Sequence, residues 1–155
     1  MRFNLNMPKA IPMRDSPFDF LFDPPLTEVG LLQARLNGEE LAQNGVNIAH
    51  VYVSPALRSI QTADKILDGM NLKHLVQLRI EPGLFELMSW QAFIPNKYPF
   101  LDPYKLKAFG YNIDLSYRPL IPYEFLRHDE NEEIFYHRSH YVTKTLCDRH
   151  AEGKF

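Results

Sequence analysis

The sequence predicts an α/β protein with a mostly parallel sheet. Three observations carry that expectation. Apolar residues recur at helical spacing over residues 27–44 and again over 57–68. Short apolar runs rich in β-branched residues, 48–53 and 76–81, read as buried strands. The resulting order, helix, strand, helix, strand, is the rhythm of a parallel sheet with crossover helices.

Each element follows from local chemistry. Residues 1–25 contain Pro8, Pro12, Pro17, Pro24 and Pro25, which forbid a regular helix, so this stretch is expected to be an irregular arm with an extended piece near 3–6. Thr27 can cap the first helix, and Glu28 lies near the positive end of its dipole. Leu31, Ala34, Gly38 and Leu41 give that helix a buried stripe, and Gly45 is a suitable stop. After the first strand, Ser54 can cap a second helix with Pro55 at its first position. Leu57, Ile60, Ala63, Ile66 and Leu67 form its core face, and Gly69 ends it. Residues 90–123 are aromatic and proline-rich and read as an ordered insertion with a short helix over 103–109. A last helix spans 131–150 with Ile134, Tyr141, Val142, Thr145 and Leu146 as its apolar face, and Gly153 is placed to stop it. Two or three strands are too little sheet to cover these helices, so the sheet is expected to be incomplete.

Length and composition bound the function. The 155 residues suffice for a single domain, and 45% hydrophobic with 23% charged residues allow a packed core. A net charge of -2 argues against a general electrostatic grip on nucleic acid or on an anionic membrane. No stretch approaches a membrane span, and the first residues do not read as a signal peptide. Cys147, the one cysteine, reads as a small apolar filler on a helix. A lone cysteine fits a reducing compartment, so a cytoplasmic location is expected. No P-loop, G-x-G-x-x-G, C-x-x-C or G-x-S-x-G occurs, and no cofactor or metal is expected.

Two side chains stand where phosphate chemistry would need them. Arg58, in SPALRSIQTA, lies in the first turn of a helix that follows a strand. Free N–H groups, the dipole and a planar guanidinium together match phosphate oxygens at the carboxyl end of a parallel sheet. The plainer reading is a surface arginine paired with a nearby acid. Glu86, in EPGLFEL, follows a strand and a Pro-Gly turn. A carboxylate beside aromatic surface can serve as a general acid, although an ordinary loop glutamate has the same spacing. Glu133, His137 and His140 have the spacing of metal ligands on one helical face, but Lys144 continues that face, so it reads as a solvated polar surface. His50 and His74 have no sequence-near partner that marks a relay.

The segments NLNMP, LTEVGLLQA, SPALRSIQTA, RIEPGLFE and NIDLSYRPLIP, in that order and spacing, resemble the phosphoglycerate mutase-like histidine phosphatase superfamily. Within it they are similar to the phosphatase domains of the T-cell ubiquitin ligand proteins and of ecdysteroid-phosphate phosphatase. The resemblance implies a three-layer α/β/α fold and hydrolysis of phosphate monoesters or phosphotyrosine proteins. It implies a histidine nucleophile in an R-H-G segment, a second histidine in an S-H or A-H segment, and a glutamate that protonates the leaving oxygen. By motif, Arg58 matches the phosphate-clamping arginine and Glu86 the acid. No R-H-G occurs in the 155 residues. The first strand and a late central strand of the family sheet are therefore expected to be missing, and the chain to be truncated and inactive alone. Poor stability or association, such as a homo-oligomer, is expected to follow unless a partner fills the gap. The competing expectation is a non-catalytic phospho-ligand or protein-interaction module.

Overall fold

A computed structural model describes residues 6–88 and 98–151. Its elements are α1 (Asp19–Phe22), α2 (Glu28–Gln43), β1 (Val51–Val53), α3 (Leu57–Gly69), β2 (Leu78–Ile80), α4 (Pro103–Phe109) and α5 (Glu132–His150), with 3-10 turns at Pro82–Leu84 and Tyr123–Phe125. The expected extended piece at 3–6, the Trp90 end of the insertion and the stop at Gly153 fall wholly or largely outside the described residues.

The sheet is small and parallel. β1 pairs with β2 in the register Val51–Leu78, Tyr52–Arg79 and Val53–Ile80. Both strands are shorter than their apolar runs, because a strand extends only as far as it has a neighbour to bond. The segment expected to be a separate insertion adds to this sheet. Leu78 N–H donates to Asn112 O at 2.8 Å and Asp114 N–H to Leu78 O at 2.9 Å, which lays Ile113 parallel beside β2.

Local signals set most helix ends. The Thr27 hydroxyl accepts from Gly30 N–H at 3.0 Å, Asp102 caps α4 through Tyr104 N–H at 2.8 Å, and Asn131 caps α5 through Ile134 N–H at 2.9 Å. Gly45 takes φ +72 just beyond α2, the left-handed stop its identity suggested. Gly69 behaves otherwise: it is the last residue of α3, and Asn71 takes the left-handed position at φ 60. Gly69 serves close approach instead. A Cβ on it would lie 2.2 Å from Arg35 O, and one on Gly38 would lie 2.1 Å from Ile66 O, so α2 and α3 meet backbone to backbone.

One face of β1 and β2 buries Val53, Leu78 and Ile80 against Leu57, Ile60 and Leu67 of α3. Leu101, Leu106 and Ile113 close that core from the far side. A second cluster, Ala56, Phe85, Met88 and Leu126 with Tyr98, Phe100 and Tyr123 against it, lies under the loop that follows β2. Burying such aromatic area is favourable at about 25 cal/mol per Å², and here it supports the segment that carries Glu86.

Three sequence expectations are corrected. α3 is not capped by Ser54. Ala56 is at the N-cap position without a side-chain bond, and Asp23 of the arm supplies the acceptor, Oδ1, to Leu57 N–H at 2.7 Å. The buried stripe of α5 is Arg138, Val142 and Leu146, while Tyr141 is exposed. Cys147 is exposed too, on the far side of α5 from that stripe, and fills no core position.

Candidate functional site

Arg58 and Glu86 meet. Arg58 projects from the first turn of α3, just past the carboxyl end of β1, and Glu86 from the loop past the carboxyl end of β2. Arg58 Nη2 and Glu86 Oε1 form an ion pair with both side chains about one-third exposed (35% and 40%), so the pair is reachable from solvent. The plainer reading of Arg58, an arginine paired with a nearby acid, is what the structure shows, and that acid is the other candidate site residue, Glu86. The Glu86 carboxylate faces Arg58 and water rather than the aromatic cluster, which takes Phe85 instead.

The helix N-terminus is already occupied by an anion of the protein itself. Asp23 is 1% exposed, accepts from Leu57 N–H, and pairs through Oδ2 with Arg14 Nη2. Burial pushes its carboxyl above the ordinary 3.8. The Leu57 N–H bond, Arg14 and the nearby Arg58 charge pull the other way without cancelling it. Asp23 thus takes one N–H at the dipole end, and Arg58, one residue further on, turns its guanidinium to Glu86.

The loop that holds Glu86 is fixed from both sides by buried charge. Glu81, fully buried, accepts from Gly83 N–H (2.9 Å), Ile121 N–H (3.1 Å), Leu120 N–H (2.6 Å) and the Tyr117 hydroxyl (2.7 Å). Burial, then the bond to Glu81, pushes the Tyr117 phenol well above its usual range, so it stays a donor. On the other side, Arg138 and Glu130 form a buried two-bond pair, Nε–Oε1 and Nη2–Oε2, both 2.7 Å. Arg138 also donates to the carbonyls of Gly83, Phe85 and Glu86, and Glu130 accepts from Met88 N–H.

Sequence reasoning missed Asp23, Glu81, Arg138 and Glu130. A signal existed for Arg138: it lies four residues from both Ile134 and Val142, in the middle of an apolar stripe. The bonds of Glu81 to Leu120 and Ile121 and of Asp23 to Leu57 carry no local signal, because they span 34 to 40 residues.

The other sequence candidates lie elsewhere. His50 stacks on His150 at 4.0 Å between ring centres, beside Tyr52 and Arg79. His137 approaches Glu133 only to 3.9 Å, with both side chains about 80% exposed (80% and 81%), as a solvated face would have them. Among the described residues no histidine bonds or stacks with Arg58 or Glu86, and no helix is long and apolar enough to cross a membrane. A cavity of about 430 Å³ lies between α2 and α3, lined by Leu31, Arg35, Gln61, Asp64 and Lys73; neither Arg58 nor Glu86 lines it.

Comparison with known proteins places the chain in a family. The chain is 42% identical over 149 residues to ubiquitin-associated and SH3 domain-containing protein B of Mus musculus, covering 94% of this chain and 23% of that protein. It is 41% identical over 153 residues to ecdysteroid-phosphate phosphatase of Drosophila melanogaster, covering 96% of this chain and 20% of that protein. The chain thus spans about a fifth of the length of these curated relatives. Among solved structures it superposes on the ecdysone phosphate phosphatase of Bombyx mori in complex with tungstate, with a TM-score of 0.86 and 33% identity, over 99% of this chain and 58% of that one. Residues 16–96, just over half the chain, match the histidine phosphatase superfamily (branch 1). With its α/β fold, its small parallel sheet and those relatives, the chain belongs to the histidine phosphatase superfamily.

Proposed function

We propose that this chain carries the phosphate-holding part of a histidine phosphatase site, with Arg58 as the clamp and Glu86 as the acid. The observation that carries the reading is the solvent-reachable Arg58–Glu86 pair at the carboxyl end of two parallel strands. A guanidinium offers a fork of donors matched to phosphate oxygens, and a carboxylic acid beside it can protonate a departing alkoxide or phenoxide. The substrate class is a phosphate monoester or phosphotyrosine, hydrolysed within a longer polypeptide that supplies the R-H-G nucleophile and the second histidine. There the imidazole bonds to phosphorus as the ester P–O bond breaks, Glu86 gives its proton to the leaving oxygen, and water then cleaves the phosphohistidine.

The 155 residues contain no R-H-G, and no described histidine contacts the pair, so the isolated chain is expected to bind phosphate without turning over its esters. That makes it, alone, a phospho-ligand module. The test incubates the chain with an aryl phosphate and titrates inorganic phosphate by calorimetry. No release above background, and phosphate binding abolished by Arg58→Ala, are expected. Hydrolysis that disappears with Arg58→Ala would overturn the inactivity; phosphate affinity indifferent to that substitution would overturn the clamp.

A further inference from the structure

We propose that Arg138, held by Glu130, is a positioning residue that keeps Glu86 against Arg58, so that Glu86 competes with phosphate for the Arg58 guanidinium. This rests on the reading of Arg58 as the phosphate clamp and adds who controls access to it.

The geometry is specific. Arg138 is 8% exposed and Glu130 is 2% exposed. The guanidinium has five N–H donors, and five contacts receive them: two carboxylate oxygens of Glu130 and the carbonyls of Gly83, Phe85 and Glu86. Glu130 reaches the same segment through Met88 N–H at 3.1 Å. The pair therefore grips the loop at four backbone points, on both sides of Glu86 and at Glu86 itself. A buried ion pair is weak evidence for stability, because apolar replacements of equal volume often serve as well. What an apolar pair cannot do is bind the loop carbonyls of Gly83, Phe85 and Glu86 and so fix the direction in which one exposed side chain leaves the loop. Nothing else in the described contacts holds the Glu86 carboxylate beside Arg58; the Arg58–Glu86 bond itself is half in water and worth little.

The consequence has a sign that a merely structural role would not give. Freeing the loop releases Glu86 from Arg58, removes an internal competitor and tightens phosphate binding. General damage to the site would weaken it. The experiment titrates inorganic phosphate by calorimetry against the full chain, Glu86→Gln, Arg138→Lys, the apolar double variant Arg138→Met with Glu130→Leu, and Arg58→Ala. The double variant removes both buried charges, so it avoids stranding one of them. Glu86→Gln, Arg138→Lys and the double variant are each expected to tighten phosphate binding by about two- to fivefold, the range of a half-exposed ion pair. Adding Glu86→Gln to the double variant is expected to give no further gain. Loss of binding in Arg58→Ala with unchanged or weaker binding in both Arg138 variants overturns this inference and leaves the clamp standing. Unchanged binding in Arg58→Ala overturns the clamp itself.

Discussion

Two guanidinium–carboxylate pairs meet on one loop and differ in nearly every respect. Arg138–Glu130 is buried, bonded twice, and has every donor satisfied by loop carbonyls or its partner. Arg58–Glu86 is half-exposed and joined by one nitrogen and one oxygen. The first has paid the desolvation of two charges and is committed to geometry. The second keeps its charges near water, where a phosphate can exchange with a carboxylate at small cost. Burial separates the residue that locates from the residue that is available to bind.

The sharpest way to break this contrast is to remove the buried partner alone. Arg138→Ala strands the Glu130 carboxylate and is expected to cost about 3–5 kcal/mol of unfolding free energy, read from urea denaturation. A loss below about 1 kcal/mol would place that pair in the same class as the exposed one. Next in size is Glu81→Gln. It keeps the shape but turns one acceptor oxygen into a donor that faces N–H or O–H groups already present, with an expected loss of about 2–3 kcal/mol by the same measurement.

Asp23 tests the comparison through pH. Its folded carboxyl titrates above the ordinary 3.8 because burial disfavours the charge. The folded state therefore holds the proton to higher pH than the unfolded state, and Asp23's favourable contribution is complete below about 3.8 and is lost as pH rises through the folded value. The stability difference between the full chain and Asp23→Asn, followed by thermal melting across acidic pH, is expected to move against the full chain as pH rises in that window. A difference moving the other way would mean that Arg14 and Leu57 N–H outweigh burial. The smallest effect belongs to Arg58→Ala, expected to change stability by less than about 1 kcal/mol, since the pair it breaks is solvated.

The parts legible in the sequence were those whose cause is local. Thr27 caps α2 from three residues away, and α4 and α5 begin within a residue of where the sequence places them. The positions of Arg58 and Glu86 in the fold were legible because each stands one turn or one loop past a strand end. What was hidden lies across long separations. Asp23 caps α3 from an arm that reads as irregular, and Ile113 joins the sheet from a stretch that reads as insertion. Arg138 was hidden for another reason. A charged residue on an apolar stripe reads as a break in the pattern, whereas its five bonds to Glu130 and to loop carbonyls make it a core residue. Strand ends over-reached because hydrophobic runs report burial, not the presence of a hydrogen-bonding neighbour.

The central claim is that Arg58 is held ready for a phosphoryl group and lent to Glu86 until one arrives. A crystal structure of the chain grown with tungstate tests it most directly. The account predicts tungstate oxygens within hydrogen-bond distance of the Arg58 guanidinium, the Glu86 carboxylate displaced from it, and the Arg138–Glu130 pair unmoved. Tungstate bound elsewhere, with Arg58 and Glu86 still joined, would contradict it.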